Sequence, residues 1–194
     1  MNKITTVLII LFSITLSSCQ TIAKKMYGIK KPQVETVESV EEYLSSINLQ
    51  SDNNFYCKNF VTYKTVLKEF ENSLPEAVLF NSEGKKLIYK KNNQDCNAGL
   101  FETIPGLTIN SKLQLVDSIN ISTFIAYLVD RNDSSIIAFP KADYHLFINW
   151  AKYMGKLNKD HVKVWEELAN KNQNSKIKVY KINMDIMKSW NVEP

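Results

Sequence analysis

The pattern of apolar and polar positions is clearest in the last third of the chain. Tyr144–Trp150 is an almost unbroken apolar run, which is typical of a strand buried on both faces. Apolar residues then recur at helical spacing from Asn158 to Asn170, and the segment "KIKVYKINMD" predicts a second strand. Strand, helix and strand joined by short loops predict a βαβ unit, with parallel strands in a sheet that helices cover.

The first two thirds of the chain give shorter elements. Two segments have helical periodicity, Val34–Leu49 and Phe60–Phe70, and Phe55–Cys57 suits a short strand between them. Two apolar runs flank "NSEG", where Gly84 can adopt the positive φ that a hairpin turn requires. Residues 119–129 fit either a helix or a buried strand, and Ser135–Phe139 reads as a strand that ends at Pro140.

The N-terminus has the anatomy of a secretory signal. Lys3 precedes an apolar run, Val7–Leu16, which is shorter than the roughly 20 residues that span a bilayer. The run ends in Leu16-Ser17-Ser18-Cys19, which resembles the bacterial lipobox.

The lipobox resemblance implies cleavage before Cys19 and lipid attachment to that cysteine. It divides the chain into a signal peptide (1–18), a polar lipidated tether (19–33) and an α/β domain (34–194). The expected location is the bacterial cell envelope, with the membrane as a partner through the lipid. Gln20 in place of Asp favours the outer membrane, facing the periplasm, if the organism is diderm. The tether is either a solvated spacer or, through its lysines, a contact with anionic headgroups.

The charge and the residue types of the chain argue against several classes of function. The net charge is +4, but 23 of the 24 basic residues are Lys and only Arg131 can form a bidentate fork, so the sequence is a poor nucleic-acid binder. His145 and His161 are the only histidines and share no ligand spacing with Cys or carboxylates. Without a Gly-rich phosphate loop or a nucleophile elbow, we expect neither metal nor cofactor.

The segment "FINWAKYMGKL", Phe147–Leu157, carries a family resemblance. Together with the helix and "KVYKINMD" that follow, it resembles the first βαβ unit of the thioredoxin-like superfamily, especially its membrane-anchored redoxin-type members. That family shows a strand, then Trp-Ala-x-x-Cys-x-x-Cys at the start of a helix, then a strand that ends in Asn- or Val-x-Asp. Trp150 matches the conserved Trp, Tyr153 the aromatic position and Gly155 the first intervening position.

The catalytic cysteines of the family are not present. Met154 and Leu157 occupy their positions, and neither a thioether nor a hydrocarbon can form the thiolate that attacks a disulfide. The resemblance therefore implies a thioredoxin-like three-layer α/β sandwich whose motif is inactive in dithiol exchange.

The order of elements also departs from the family. In the family, a helix, a cis-proline and a β-hairpin follow the βαβ unit; here Leu74–Lys90 resembles that hairpin but precedes the unit. Either the domain is permuted, with Pro75 as the cis-proline, or the hairpin lies elsewhere in an α/β sheet.

Cys57 and Cys96 are the thiols that remain after Cys19. In an oxidising compartment they could form a structural disulfide, stay as two free thiols, or act as a reversible redox pair. The leading hypothesis is an envelope lipoprotein with a redox-inactive thioredoxin-like domain that binds or scaffolds a protein partner. The alternatives are a thiol-disulfide oxidoreductase that uses Cys57 and Cys96, and a structural lipoprotein of unrelated α/β fold.

Overall fold

The computed structural model describes residues 24–49, 52–90, 97–132, 134–135 and 140–192. The signal run, Cys19 and Cys96 lie outside these residues, as do residues 136–139, which form most of the predicted strand before Pro140. Within the described residues, no helix is long and apolar enough to cross a membrane.

A mixed sheet with helices on both faces forms the centre of the protein. Its strands are β2 (Asn54–Cys57), β3 (Ala77–Asn81), β4 (Lys85–Ile88), β5 (Gln114–Asn120), β6 (Leu128–Val129), β7 (Tyr144–Trp150) and β8 (Ile177–Asn183). They lie side by side in the order β5-β4-β3-β7-β8-β2-β6. A second, two-stranded parallel sheet joins β1 (Val34–Glu35) to β9 (Ile186–Met187).

The predicted βαβ unit is confirmed. β7 and β8 pair in parallel along their whole length, and β2 adds a further parallel strand beside β8. β3 lies antiparallel on the other side of β7, and the "NSEG" turn connects it to β4 with Gly84 at φ 78°. The hairpin thus belongs to the same sheet as the βαβ unit, although it precedes that unit in the chain.

Two apolar layers sandwich the sheet because the strands alternate their side chains. The helices are α1 (Val37–Ser46), α2 (Phe60–Glu69), α3 (Leu100–Gly106), α4 (Ile121–Ile125) and α5 (Val164–Lys171). Val40, Ile104 and Trp165 of α1, α3 and α5 pack on one face of the sheet. Val66 of α2 and Phe124 of α4 pack on the other. The result is a three-layer α/β architecture.

The ambiguous segment 119–129 contains parts of three elements. It forms the end of β5, the short helix α4 and then β6. Asn120 caps the helix, because its side chain accepts a hydrogen bond from the Thr123 N–H at 2.9 Å. Each piece is too short to establish a period, which explains why the sequence pattern did not distinguish helix from strand.

Candidate functional site

The positions that the sequence singled out come together at one edge of the main sheet. This carboxyl edge is where the parallel strands β2, β7 and β8 end, at Cys57, Trp150 and Asn183. In parallel α/β sheets this edge is the usual place for a binding site. Met154 follows β7 directly, and Pro75 precedes β3 on the neighbouring strand.

Asn149 ties the Pro75 segment to the end of β7. The Leu74–Pro75 peptide bond in that segment is cis, as the permutation alternative expected. Asn149 Oδ1 accepts a hydrogen bond from the Glu76 N–H at 2.6 Å, and its Nδ2 donates to the Ser73 carbonyl at 2.8 Å. These two hydrogen bonds place the entrance of the hairpin beside the end of β7.

Trp150 is a buried anchor for this edge. Its side chain is fully buried, its Nε1–H donates to Asn54 Oδ1 at 2.9 Å, and its ring stacks on Tyr43 with the centroids 6.0 Å apart. A buried Trp needs such a partner for its N–H. Its role in this structure is to connect β7, β2 and α1.

The motif loop (residues 151–158) does not have the geometry of a reactive helix N-terminus. Lys152–Met154 forms a 3₁₀ turn, Gly155 has φ 57°, and a π-helical stretch, Asn158–Lys163, then leads into α5. Met154 is 8% exposed and belongs to the apolar layer under α2, while Leu157 is half-buried against the same layer. Both side chains serve packing.

Residues 27–30 cover this loop. The Lys30 N–H donates to the Tyr153 carbonyl and the Lys156 N–H donates to the Tyr27 carbonyl, each at 2.8 Å. A Cβ on Gly155 would lie 2.5 Å from the Tyr27 carbonyl oxygen and 2.6 Å from that of Gly28. Glycine is therefore required, by its φ and by the close approach of the segment.

This contact differs from the expectation of a free tether over residues 19–33. The described part of that segment begins with a helical turn at 24–27, and Ile29 packs against the same apolar layer as Tyr153. The lysines are exposed as expected, but the backbone between them is fixed on the domain. One apolar residue in a polar stretch gave no periodic signal, so the sequence did not reveal it.

Asn158 holds the loop from beneath. It is fully buried, and its Nδ2 donates to the Ala151 carbonyl at 2.9 Å and to the Tyr43 hydroxyl at 3.0 Å. The same hydroxyl donates to the Gly155 carbonyl at 3.3 Å. Sequence reasoning missed this residue, although π-helical insertions of this kind often mark functional positions.

A group of charges lies beside the loop. Lys152 forms an ion pair with Glu35 at 2.6 Å, and Ser39 donates to the same carboxylate. Burial raises the pKa of Glu35, but the hydrogen bonds from Lys152 and Ser39 lower it more, so the net pKa is below its ordinary value. With Lys30, Lys31, Gln33, Tyr43 and Tyr153, Glu35 and Lys152 line a small cavity of about 210 Å³.

Asp185 lies under the loop and is 1% exposed. Its Oδ2 accepts hydrogen bonds from the Lys152 N–H and from Asn183 Nδ2, both at 2.8 Å. Burial raises its pKa to about 6, although these hydrogen bonds oppose the shift. It could accept or release a proton near neutral pH, but the motif loop carries no dithiol for such a group to serve.

The surroundings of Cys57 bear on the three alternatives for the two thiols, of which Cys96 lies outside the described residues. Among the described residues Cys57 is a free thiol. It is 2% exposed within β2, among apolar side chains of the layer that contains Val66, and burial raises the pKa of its thiol far above the ordinary value. Helix α2 begins three residues later, with Asn59 as its cap, and so gives this sulfur no exposed position at a helix N-terminus.

The two histidines have structural surroundings. His145 is buried in β7, where its Nδ1 lies 3.2 Å from the Tyr180 hydroxyl, and burial lowers its pKa. His161 lies edge-on to Trp165 with the ring centroids 5.3 Å apart, and its pKa is lowered mainly by burial. Across the described ranges, no three His, Cys, Asp or Glu side chains form a group that could hold a metal ion.

Comparisons with known proteins identify no relative. No family model, no curated protein and no solved structure matches this chain.

Proposed function

We propose that this protein is a lipid-anchored component of a bacterial cell envelope. Its domain is a permuted thioredoxin-like module without thiol chemistry, and it acts by binding or scaffolding a protein partner. The observation that carries the non-catalytic assignment is the motif loop: Met154 and Leu157 pack into the core, and residues 27–30 cover the loop from outside.

The arrangement of strands supports the thioredoxin-like assignment. A permuted domain requires the hairpin to pair with the first strand of the βαβ unit, and β3 pairs with β7 over five residues. The resulting order β4-β3-β7-β8, in which β3 alone runs opposite to the other three strands, joins hairpin and unit in one sheet. Pro75 then stands beside the motif loop.

The surroundings of Cys57 argue against the rival enzyme. A thiol-disulfide exchange enzyme needs an exposed cysteine with a lowered pKa. Cys57 is buried, and burial shifts the pKa of its thiol in the opposite direction.

The lipid anchor is supported by the sequence Leu16-Ser17-Ser18-Cys19 and the apolar run before it. Two or more acyl chains on one cysteine give firm attachment, because each buried methylene contributes about 0.8 kcal/mol. The anchor would concentrate the domain at a membrane surface where its partner works.

Thiol reactivity and lipid labelling test the proposal. In a chain that begins at Gln20, we expect Cys57 to react with an aromatic disulfide reagent only after denaturation, and we expect no catalysed reduction of insulin. Rapid reaction of the folded protein, together with activity that Cys57→Ala abolishes, would favour the enzyme. In cells, labelled palmitate should enter the wild-type protein but not Cys19→Ser; equal labelling or none would refute the anchor.

A further inference from the structure

The carboxyl edge also carries an aromatic and basic surface. Phe60, Tyr63 and Trp190 are partly exposed and in mutual contact, with ring centroids 5.6–6.3 Å apart. The ammonium group of Lys64 lies 4.5 Å from the centre of the Phe60 ring. Trp and Tyr beside Lys are the residues that proteins place at the boundary between water and lipid.

Exposed apolar side chains concentrate on the same edge. Among the described residues, six large hydrophobic side chains are more than a third exposed, and three of them lie here. Val61, in the first turn of α2, is 74% exposed; Met26 is 59% exposed and Val34 is 38% exposed. Exposed apolar side chains at the rim of a charged surface are a feature of interaction sites.

The charge of this edge is strongly positive. Its exposed lysines in the described part of the chain are Lys24, Lys25, Lys30, Lys31, Lys58, Lys64, Lys156, Lys159 and Lys188. The exposed carboxylates nearby, in the same part of the chain, are Glu38, Glu42 and Asp160, because Glu35 is paired with Lys152, Asp185 is buried and Asp130 binds the backbone of its own loop. The complementary partner is an anionic surface.

The tether contact places this edge close to the proposed anchor. Residues 27–30 are fixed on the motif loop, and Lys24 stands only five positions after Cys19. Five extended residues reach at most about 18 Å. A lipid on Cys19 would therefore hold the carboxyl edge within that distance of the bilayer.

We propose that the carboxyl edge is a membrane-binding surface that lies on anionic phospholipid headgroups, with Val61, Met26 and Trp190 at the lipid boundary and the lysines on the phosphates. The orientation rests on the proposed lipid anchor, but the surface itself does not require it. Each lysine near an anionic surface contributes about 1 kcal/mol, so several together give measurable affinity without acylation.

Vesicle binding tests the surface separately from the anchor. A chain that begins at Gln20 keeps every described residue and cannot be acylated at Cys19. We expect it to sediment with vesicles of phosphatidylcholine and phosphatidylglycerol, less so at high salt, and not with phosphatidylcholine alone. The double substitution Lys58→Gln with Lys64→Gln should weaken binding roughly 30-fold, the equivalent of about 1 kcal/mol for each lysine.

The matched control removes two exposed lysines from the opposite edge, Lys141→Gln with Lys176→Gln, and should leave binding within twofold. Brominated lipids should quench the fluorescence of partly exposed Trp190, and Trp190→Phe should remove that quenching, because Trp150 and Trp165 are fully buried. The proposal would be overturned if both pairs of lysine substitutions weakened vesicle binding equally, or if binding did not depend on phosphatidylglycerol. It would also be overturned if this edge bound only proteins and no vesicles. Absence of palmitate on Cys19 would refute the anchor alone.

Discussion

The backbone N–H of Lys152 donates to the buried carboxylate of Asp185 at 2.8 Å, which links the motif loop to the end of β8. The carboxylate is held inside the protein, where burial raises its pKa to about 6 from the ordinary 3.8. In the folded protein it therefore binds a proton more tightly than in the unfolded chain.

This relationship predicts a particular dependence of stability on pH. Between about pH 4 and pH 6 the folded state holds more protons at Asp185 than the unfolded state, so this residue lowers the free energy of unfolding as the pH rises through that window. The loss is on the order of 2–3 kcal/mol. Asp185→Asn should remove it, and urea titrations of both proteins at pH 4, 5, 6 and 7 would measure the difference. Parallel pH profiles of wild type and variant would contradict the prediction.

Gly155→Ala should release the segment that covers the motif loop. The positive φ costs roughly 1–2 kcal/mol for a residue with a Cβ, and the new atom would clash with two backbone oxygens of residues 27 and 28. We expect a lower free energy of unfolding and faster tryptic cleavage after Lys30, since the bond after Lys31 leads into Pro32 and resists trypsin. Gly106→Ala is the control and should be neutral, because a Cβ on Gly106 would meet no atom within 4 Å.

Breaking the buried ion pair between β8 and α5 should lower the free energy of unfolding strongly. Lys181 is fully buried and its ammonium group contacts the Glu166 carboxylate. Glu166→Gln would leave the ammonium without its counter-charge, and we expect a loss of about 3–5 kcal/mol. The double substitution Lys181→Met with Glu166→Leu should recover most of that loss in denaturant titrations. A double variant as unstable as the single one would refute this account.

Asn158→Asp should destabilise the fold more than Asn158→Ala. A carboxylate at this position would face the Ala151 carbonyl, to which the amide now donates. Loss of the amide should cost about 1–3 kcal/mol, and an unpaired buried charge should cost more. A protonated Asp can again donate a hydrogen bond, so the difference in stability between the two variants should be smaller at low pH. Thermal denaturation at pH 4 and pH 7 would show this.

The pattern of apolar and polar residues predicted the parts of the fold that neighbouring residues determine. The apolar run of β7, the helical spacing after it and the glycine of the hairpin turn each determine a short-range structure. The sequence also indicated that Pro75 and Trp150 belong to related elements, and the sheet places their segments side by side.

The remaining features depend on contacts between distant residues. The Lys30 N–H donates to the Tyr153 carbonyl, more than 120 positions away in the chain, and the sequence around neither residue indicates that contact. Cys57 stands just before a helix, which suggested a reactive thiol, but the β-strand directs it into the core. Burial of this kind is fixed by the whole sheet and cannot be read from spacing.

The position of β7 and β8 in the chain has a consequence for how the protein folds. These two strands are the centre of the main sheet, yet they come after every other described strand of that sheet. β2 and β3 stand more than 60 residues earlier in the chain and lack their central partners, β8 and β7, until the last third of the chain exists. Pairing over such separations is slow, so the complete sheet should assemble only after most of the chain has been synthesised.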